Sequence, residues 1–352
     1  MDPAGTHRAY RRTVLRRTLF SLSLVTAAGV LSVIGLGIGP MRFGVGEIFG
    51  ALCSGLFNTD ASVPDVAVTV ITRIRLPRIV LALLSGFGLA VTGMQMQVVL
   101  RNPLATPFTL GVSSGAGLGA GLAVIAGVSL AGGRYMLVGN AFVFALIPCA
   151  VIFLLSRLGR CGYGMLILAG IAMNFIFSSF STLLSYFSNS EELKSLSLWM
   201  MGNLGRATWA DIAPPAIVLA CALPFLLIQN QKLNILNTGD QSARGLGVNV
   251  ERTRIVVLIL ASLVSAAIIC FTGIIGFVGL VSPHIVRLLI GNDARFLMPA
   301  SGLFGAAFLL GADILALTIV QPTVLPVGIV TSFIGGPMLL YLIVRKQERG
   351  GW

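Results

Sequence analysis

The pattern with the most familiar chemistry is Gly111-Val-Ser113-Ser-Gly115, which has the Gly-x-Ser-x-Gly spacing of a nucleophile elbow. With His284 as base, Ser113 would make an intramembrane serine hydrolase. An elbow needs a strand before it and a helix after it. Here Gly111, Gly115 and Gly119 instead recur every four residues in an apolar run. That stripe lets one membrane helix approach another closely. The overlapping Gly115-Ala-Gly-Leu-Gly-Ala-Gly lacks the strand and the later acidic residue of a dinucleotide loop. Packing is the reading for both motifs, and the hydrolase stays as a rival.

Other chemistry is thin. No Gly-x-x-x-x-Gly-Lys-Ser/Thr is present, so this chain carries no P-loop, and no aspartate cluster stands ready for diphosphate and magnesium. The cysteines Cys53, Cys149, Cys161, Cys221 and Cys270 are odd in number and form no Cys-x-x-Cys pair. They make neither a disulfide framework nor a zinc site. Asp313 is the one carboxylate deep in an apolar run, while His284 and Arg287 sit near the end of another. Such residues are functional candidates by default. Asp313 is either the proton site of a secondary carrier or a structural carboxylate. Asn174, Ser178, Ser179, Ser181, Thr182, Ser185, Tyr186 and Asn189 gather on one further run. They line a wet path or bond between helices.

The elements that carry these residues must be solvated by lipid. Of 352 residues, 56% are hydrophobic and 10% charged, and mean hydropathy is +0.95. A soluble domain carries about 25% charged residues. The net charge of +12 includes no basic run interleaved with aromatics, so no nucleic-acid partner is indicated. A bilayer core takes about 20 apolar residues as helix. Ten spans follow: 18–39, 77–100, 107–130, 136–156, 164–187, 212–229, 254–273, 276–290, 297–320 and 327–344. The eighth is short and carries Pro283, so it tilts or breaks; Pro148, Pro224 and Pro337 bend other spans. The first follows Arg11, Arg12, Arg16 and Arg17, yet its apolar run is longer than a signal core and lacks a cleavage site. It reads as a retained helix.

With the N-terminus inside and alternating spans, 17 of the 24 basic residues lie in the cytoplasm and seven outside. Both termini are therefore expected inside. Residues 40–76 make a long outer connection and residues 230–253 a long inner one. The inner loop has a helix-compatible stretch at 241–246, with Asn237 or Thr238 as cap and Gly245 or Gly247 as stop. Arg78-Ile-Val…Thr92-Gly93 is echoed by Arg254-Ile-Val…Thr272-Gly273, as in an inverted repeat. Gly328, Ser332 and Gly336 form a second small-residue stripe, expected to be a helix contact face.

Eight stretches in order carry a family resemblance: Arg75-Leu-Pro-Arg78; Arg101-Asn-Pro-Leu-Ala105 with Leu110-Gly-Val-Ser-Ser-Gly-Ala116; Leu168-Ala-Gly-Ile171; Trp199-Met-Met-Gly202; Gly239-Asp-Gln-Ser-Ala243-Arg-Gly-Leu246-Gly247; Gly276-Phe-Val-Gly-Leu-Val-Ser-Pro-His284; Ala312-Asp313-Ile314; and Leu325-Pro-Val-Gly-Ile-Val-Thr-Ser-Phe-Ile-Gly335. The chain resembles the FecCD-type permease subunits of ABC importers for iron(III)-siderophores, haem and cobalamin. The resemblance implies an all-α polytopic membrane protein of about ten transmembrane helices with type II ABC importer architecture. It implies one transmembrane permease domain over residues 1–352, with a cytoplasmic coupling loop at 230–253 inside it. The implied partners are two ATPase subunits that bind ATP and Mg, a second permease subunit and an extracytoplasmic substrate-binding protein. The implied location is the bacterial cytoplasmic (inner) membrane.

By the same resemblance, Gly239, Asp240, Ala243, Arg244, Leu246 and Gly247 form the ATPase-coupling element. Asp240 and Arg244 would contact the ATPase surface, and Ala243 and Leu246 would fill its groove. Many family members carry glutamate where Asp240 stands, so its reach here is shorter. Spans five and ten would supply the translocation pathway through Asn174, Ser178, Tyr186 and Ser332. Arg73 and Arg75 would meet acidic residues of the binding protein. The chain itself would hold no metal, no cofactor and no catalytic residue. Its expected cargo is an iron(III)-siderophore, with haem or cobalamin as alternatives.

Overall fold

The computed structural model describes residues 3–39, 41–57, 63–130, 132–158 and 163–347; Cys161 lies outside them. Every described element is helical. They run α1 (Pro3–Gly37), α2 (Val45–Phe57), α3 (Asp65–Thr69), a π-helical turn (Val70–Arg75), α4 (Leu76–Val99), α5 (Val112–Val124), α6 (Met136–Leu158) and α7 (Tyr163–Tyr186). There follow α8 (Ser190–Met200), α9 (Trp209–Leu236), α10 (Asp240–Gly245), α11 (Val250–Thr272), α12 (Val278–Ile290), α13 (Ala294–Thr318) and α14 (Val327–Gln347). Seven described helical stretches are long and apolar enough to cross a bilayer, and four apolar helices are shorter: Val45–Gly55 in α2, α5, α12 and the apolar part of α14. The seven together with α5, α12 and α14 make about ten, in keeping with the expected count.

Two regions depart from expectation. The outer connection at 40–76 is largely helical. It contains α2, and α3, the π turn and α4 form one continuous rod over Asp65–Val99. Pro77 enters at the top of α4 without an N–H to donate. The preceding turn widens to the π form and lets the rod pass through it. Span three is shorter than expected. Turns fill residues 100–111, where Pro103 and Pro107 disfavour helix, and α5 begins only after Gly111 at φ +86°.

α4 is buried along most of its length and packs against α9, α11, α12 and α13. Its crossings rest on absent side chains. A Cβ on Gly86 would strike the Gly305 backbone of α13, and one on Gly93 the Gly279 backbone of α12. The two segments of the internal echo lie side by side, α4 against α11, where Ser265 Oγ donates to Thr92 Oγ1 at 3.1 Å. The stripe on α5 is a contact face as expected. Gly115 and Gly119 abut the carbonyls of Phe144 and Asn140 on α6. The stripe on α14 is not uniform. Gly328 abuts the Met201 carbonyl, but Gly336 has open space around it.

Candidate functional site

The inner loop is shorter than expected, because α9 runs on to Leu236 and α11 starts at Val250. Gly239, at φ +122°, turns the chain into α10, and Gly247, at φ +81°, ends it with Val248 N donating to Ala243 O. Neither expected cap is used. Asn237 closes α9, and Thr238 Oγ1 donates to Ile235 O.

A six-residue helix has one face on the body of the protein. Residues i and i+3 share a face, and here Asp240 and Ala243 both turn inward. Ala243 is 0% exposed in a core that includes Val99, Leu236 and Val250. Asp240 accepts from Arg101 Nη2 at 3.0 Å and from Arg254 Nη2 at 3.2 Å. Arg101 also donates to Leu236 O at 2.9 Å, and Arg254 Nε to Val99 O at 3.2 Å. Within this chain Asp240 and Ala243 both anchor α10 to the inner ends of α4, α9 and α11. The outward face consists of Arg244, which pairs with Glu251, and Leu246, which is 67% exposed. Arg101 and Arg254 were not singled out as anchors, because an arginine at the end of an apolar span reads as an ordinary cytoplasmic charge.

Among the outer arginines, Arg73 is exposed and Arg75 is not. Arg75 donates to the carbonyls of Leu36 and Met41 and lies 4.8 Å over the Phe43 ring. In this chain the end of α1 and the segment after it fold over Arg75 and leave Arg73 as the open one of the two. Asp313 is 2% exposed and is held by Arg78. The pair joins α4 to α13. Ser113 Oγ is buried without a hydrogen-bond partner, so no base activates it.

A cavity of ≈ 670 Å³ opens between the 101–111 segment, the end of α8, the 274–280 turn and α14. Thr106, Phe108, Met200, Phe277, Ser332 and Phe333 are in its wall. Ser332 is the one residue of the expected pathway set that lines it, with its hydroxyl donated to Gly328 O at 2.7 Å. Asn174 stands behind the wall. It donates to Phe108 O at 2.9 Å and accepts from Ser114 Oγ at 2.7 Å. Ser178 is exposed and Tyr186 is 82% exposed, on the open face of α7, and neither lines the cavity. That face continues through Phe175, Phe180 and Phe187, and α14 adds Phe333 and Leu340. The aromatic wall went unread in the sequence because Phe108 and Phe277 look like any lipid-facing residue. Among the described residues, no group of His, Cys, Asp or Glu is placed to hold a metal ion.

The FecCD transport family matches residues 26–345. The chain is 43% identical over 298 residues to the hemin transport system permease protein of Yersinia pestis, covering 84% of this chain and 88% of that one. It is 39% identical over 294 residues to the cobalamin import system permease protein of Halobacterium salinarum, covering 82% and 76%. A solved structure described as an inward-facing conformation of a metal-chelate type ABC transporter superposes with a TM-score of 0.81 at 31% identity, covering 92% of this chain and 98% of that one.

Proposed function

This chain belongs to the FecCD transport family as an ABC importer permease, and from that premise we propose that it carries an iron(III)-siderophore complex across the bacterial cytoplasmic membrane. The observation that carries the reading is the ≈ 670 Å³ cavity beside Phe333, a residue 77% exposed in the single chain. The cavity is walled in part by α14, and α14 and α7 both leave apolar faces bare in the single chain. A second permease subunit set against those faces would close it into a path. Its wall offers a polar chelate few hydrogen-bonding groups, so cargo is not held tightly on its way through. Passage needs sites weak enough to leave.

The geometry also supports a route from motor to path. ATP and magnesium, held by two partner ATPase subunits, supply the free energy. Leu246 and Arg244 form the face of α10 that meets the ATPase. Arg101, Asp240 and Arg254 fasten α10 to the inner end of α4. Arg101 also begins the segment that ends at Phe108 in the cavity wall, and Asn174 ties that wall to α7. A rigid-body shift of α10 is thereby passed to the wall, which switches between two packed arrangements. On the outer side, Arg73 remains the exposed candidate for an acidic group on the binding protein.

A second cargo reading, haem, is favoured by the Phe and Met side chains of the cavity and by the hemin relative. The test is uptake by proteoliposomes that hold the permease with its ATPase and binding protein. ATP-dependent accumulation of a ferric siderophore supports the proposal. Accumulation of hemin or cobalamin alone replaces the cargo, and uptake that needs no ATPase overturns the function.

A further inference from the structure

A second cavity, of ≈ 440 Å³, lies at the cytoplasmic end of the molecule beside Gly239. Its wall includes Gln97, Arg101, Thr238, Arg287 and Asn292. Two elements line both cavities. The 101–108 segment gives Arg101 and Pro103 to the inner one and Thr106 and Phe108 to the other. α12 gives Leu280 to the one and Arg287 to the inner one. Leu280, His284 and Arg287 stand at i, i+4 and i+7, on one face of the helix. Two turns of helix separate the first from the last by about 10 Å. Gln97 links the two levels: its Nε2 donates to Gly279 O and Leu280 O at 3.4 Å, and its Oε1 accepts from Arg287 Nη2 at 3.1 Å.

The inner cavity has an excess of positive charge. Arg287 Nε donates to Asn292 Oδ1 at 3.1 Å, so both of its hydrogen-bond partners are neutral side-chain oxygens. Two of the five guanidinium N–H groups are thereby used. The nearby carboxylates are committed elsewhere. Asp240 is shared by Arg101 and Arg254, and Asp293 is held by Arg17, Arg295 and Asn234. A half-buried guanidinium without a counter-charge, facing a polar cavity, is a ready donor to a carboxylate.

We infer that this cavity is the inner vestibule of the transport path, and that Arg287 is a site for the carboxylate groups of an anionic metal chelate before release to the cytoplasm. The inference rests on the proposed function, but its test does not depend on transport. Citrate, a polycarboxylate, is titrated calorimetrically into the purified permease–ATPase complex at constant ionic strength. Wild type binds citrate, and binding weakens as salt rises. Arg287→Lys retains binding, and Arg287→Gln weakens it by about tenfold or more, as loss of a charge-assisted contact requires. Asn292→Asp places a carboxylate at the 3.1 Å position beside Arg287 Nε and abolishes binding without removing the arginine. This second variant decides the matter if Arg287→Gln fails to assemble. No citrate binding by wild type, or equal binding by wild type and Asn292→Asp, overturns the inference. Failure of the function proposal shows separately, as absence of ATP-driven iron uptake by the wild-type complex.

Discussion

Arg78 grips Asp313 at two points, with Nε donating to Oδ2 at 2.7 Å and Nη2 to Oδ1 at 2.8 Å, and so joins the outer half of α4 to α13. The carboxylate is buried and the guanidinium nearly so. A buried pair of this kind is a poor source of net stability, but breaking it strands a charge.

Asp313→Asn is therefore expected to destabilise the protein by about 3–5 kcal/mol, the range for breaking a buried pair. Replacing both partners with apolar residues, Arg78→Met with Asp313→Leu, recovers most of that loss. Thermal melting in detergent measures both. A single variant that melts like wild type would mean that the pair carries no such burden. Uptake that collapses with the proton gradient, while ATP is present, would return Asp313 to the role of a proton site.

The two faces of α10 predict two separable defects. Asp240→Asn loosens the link to Arg101 and Arg254, and should cut uptake about tenfold while the ATPase still binds and hydrolyses ATP; the scale is that of a charged hydrogen-bonding group, about 1.5–3 kcal/mol. Leu246→Asp puts a charge on the exposed apolar tip and should prevent co-purification of the ATPase. Uptake and hydrolysis that fall in parallel for Asp240→Asn would refute its transmitting role.

The α12–α13 junction has a calculable pH response. Burial alone would raise the Asp293 carboxyl, but hydrogen bonds from Arg295 and Asn234, with the Arg295 charge, outweigh it and hold it at about 2. In an unfolded chain the group titrates near about 3.9. The folded form binds its proton less readily, so the contribution of Asp293 is complete above about pH 4 and fades as pH falls toward 2. Melting temperature followed across that window should decline more steeply for wild type than for Asp293→Asn. Equal slopes would show that the carboxyl is not held low.

Much of the fold is legible along the chain because lipid imposes a local rule. Each backbone N–H and C=O in hydrocarbon must be satisfied within its own segment, so span number and orientation follow from runs of apolar residues and the placement of arginines. The Gly111–Gly119 stripe is legible for a similar reason, since close helix packing needs small residues at fixed spacing. The expected span 107–130 is longer than α5 because apolar content does not reveal that the turns after α4 run on to Gly111 and that the helix ends at Val124. Residues 40–76 read as a connection because polar punctuation hides the short, partly exposed helix α2 and the extension of the α4 rod to Asp65.

By itself the sequence determined the class of the molecule, its count of about ten spans and the position along the chain of the short helix α10. Those properties depend on composition and on neighbours within a few residues. The partner of each polar group was left to the tertiary structure. Arg75 and Arg78 lie three residues apart on one rod, yet one is sealed by the end of α1 and the other paired with Asp313 on α13. Asp240 turns inward because Arg101 and Arg254 converge on it from two other helices. Arg287 is left facing a cavity because, among the described residues, the nearby carboxylates Asp240 and Asp293 are paired with other arginines. Such partners are brought together from residues far apart in the chain, and only the packing of the helices decides which of them meet.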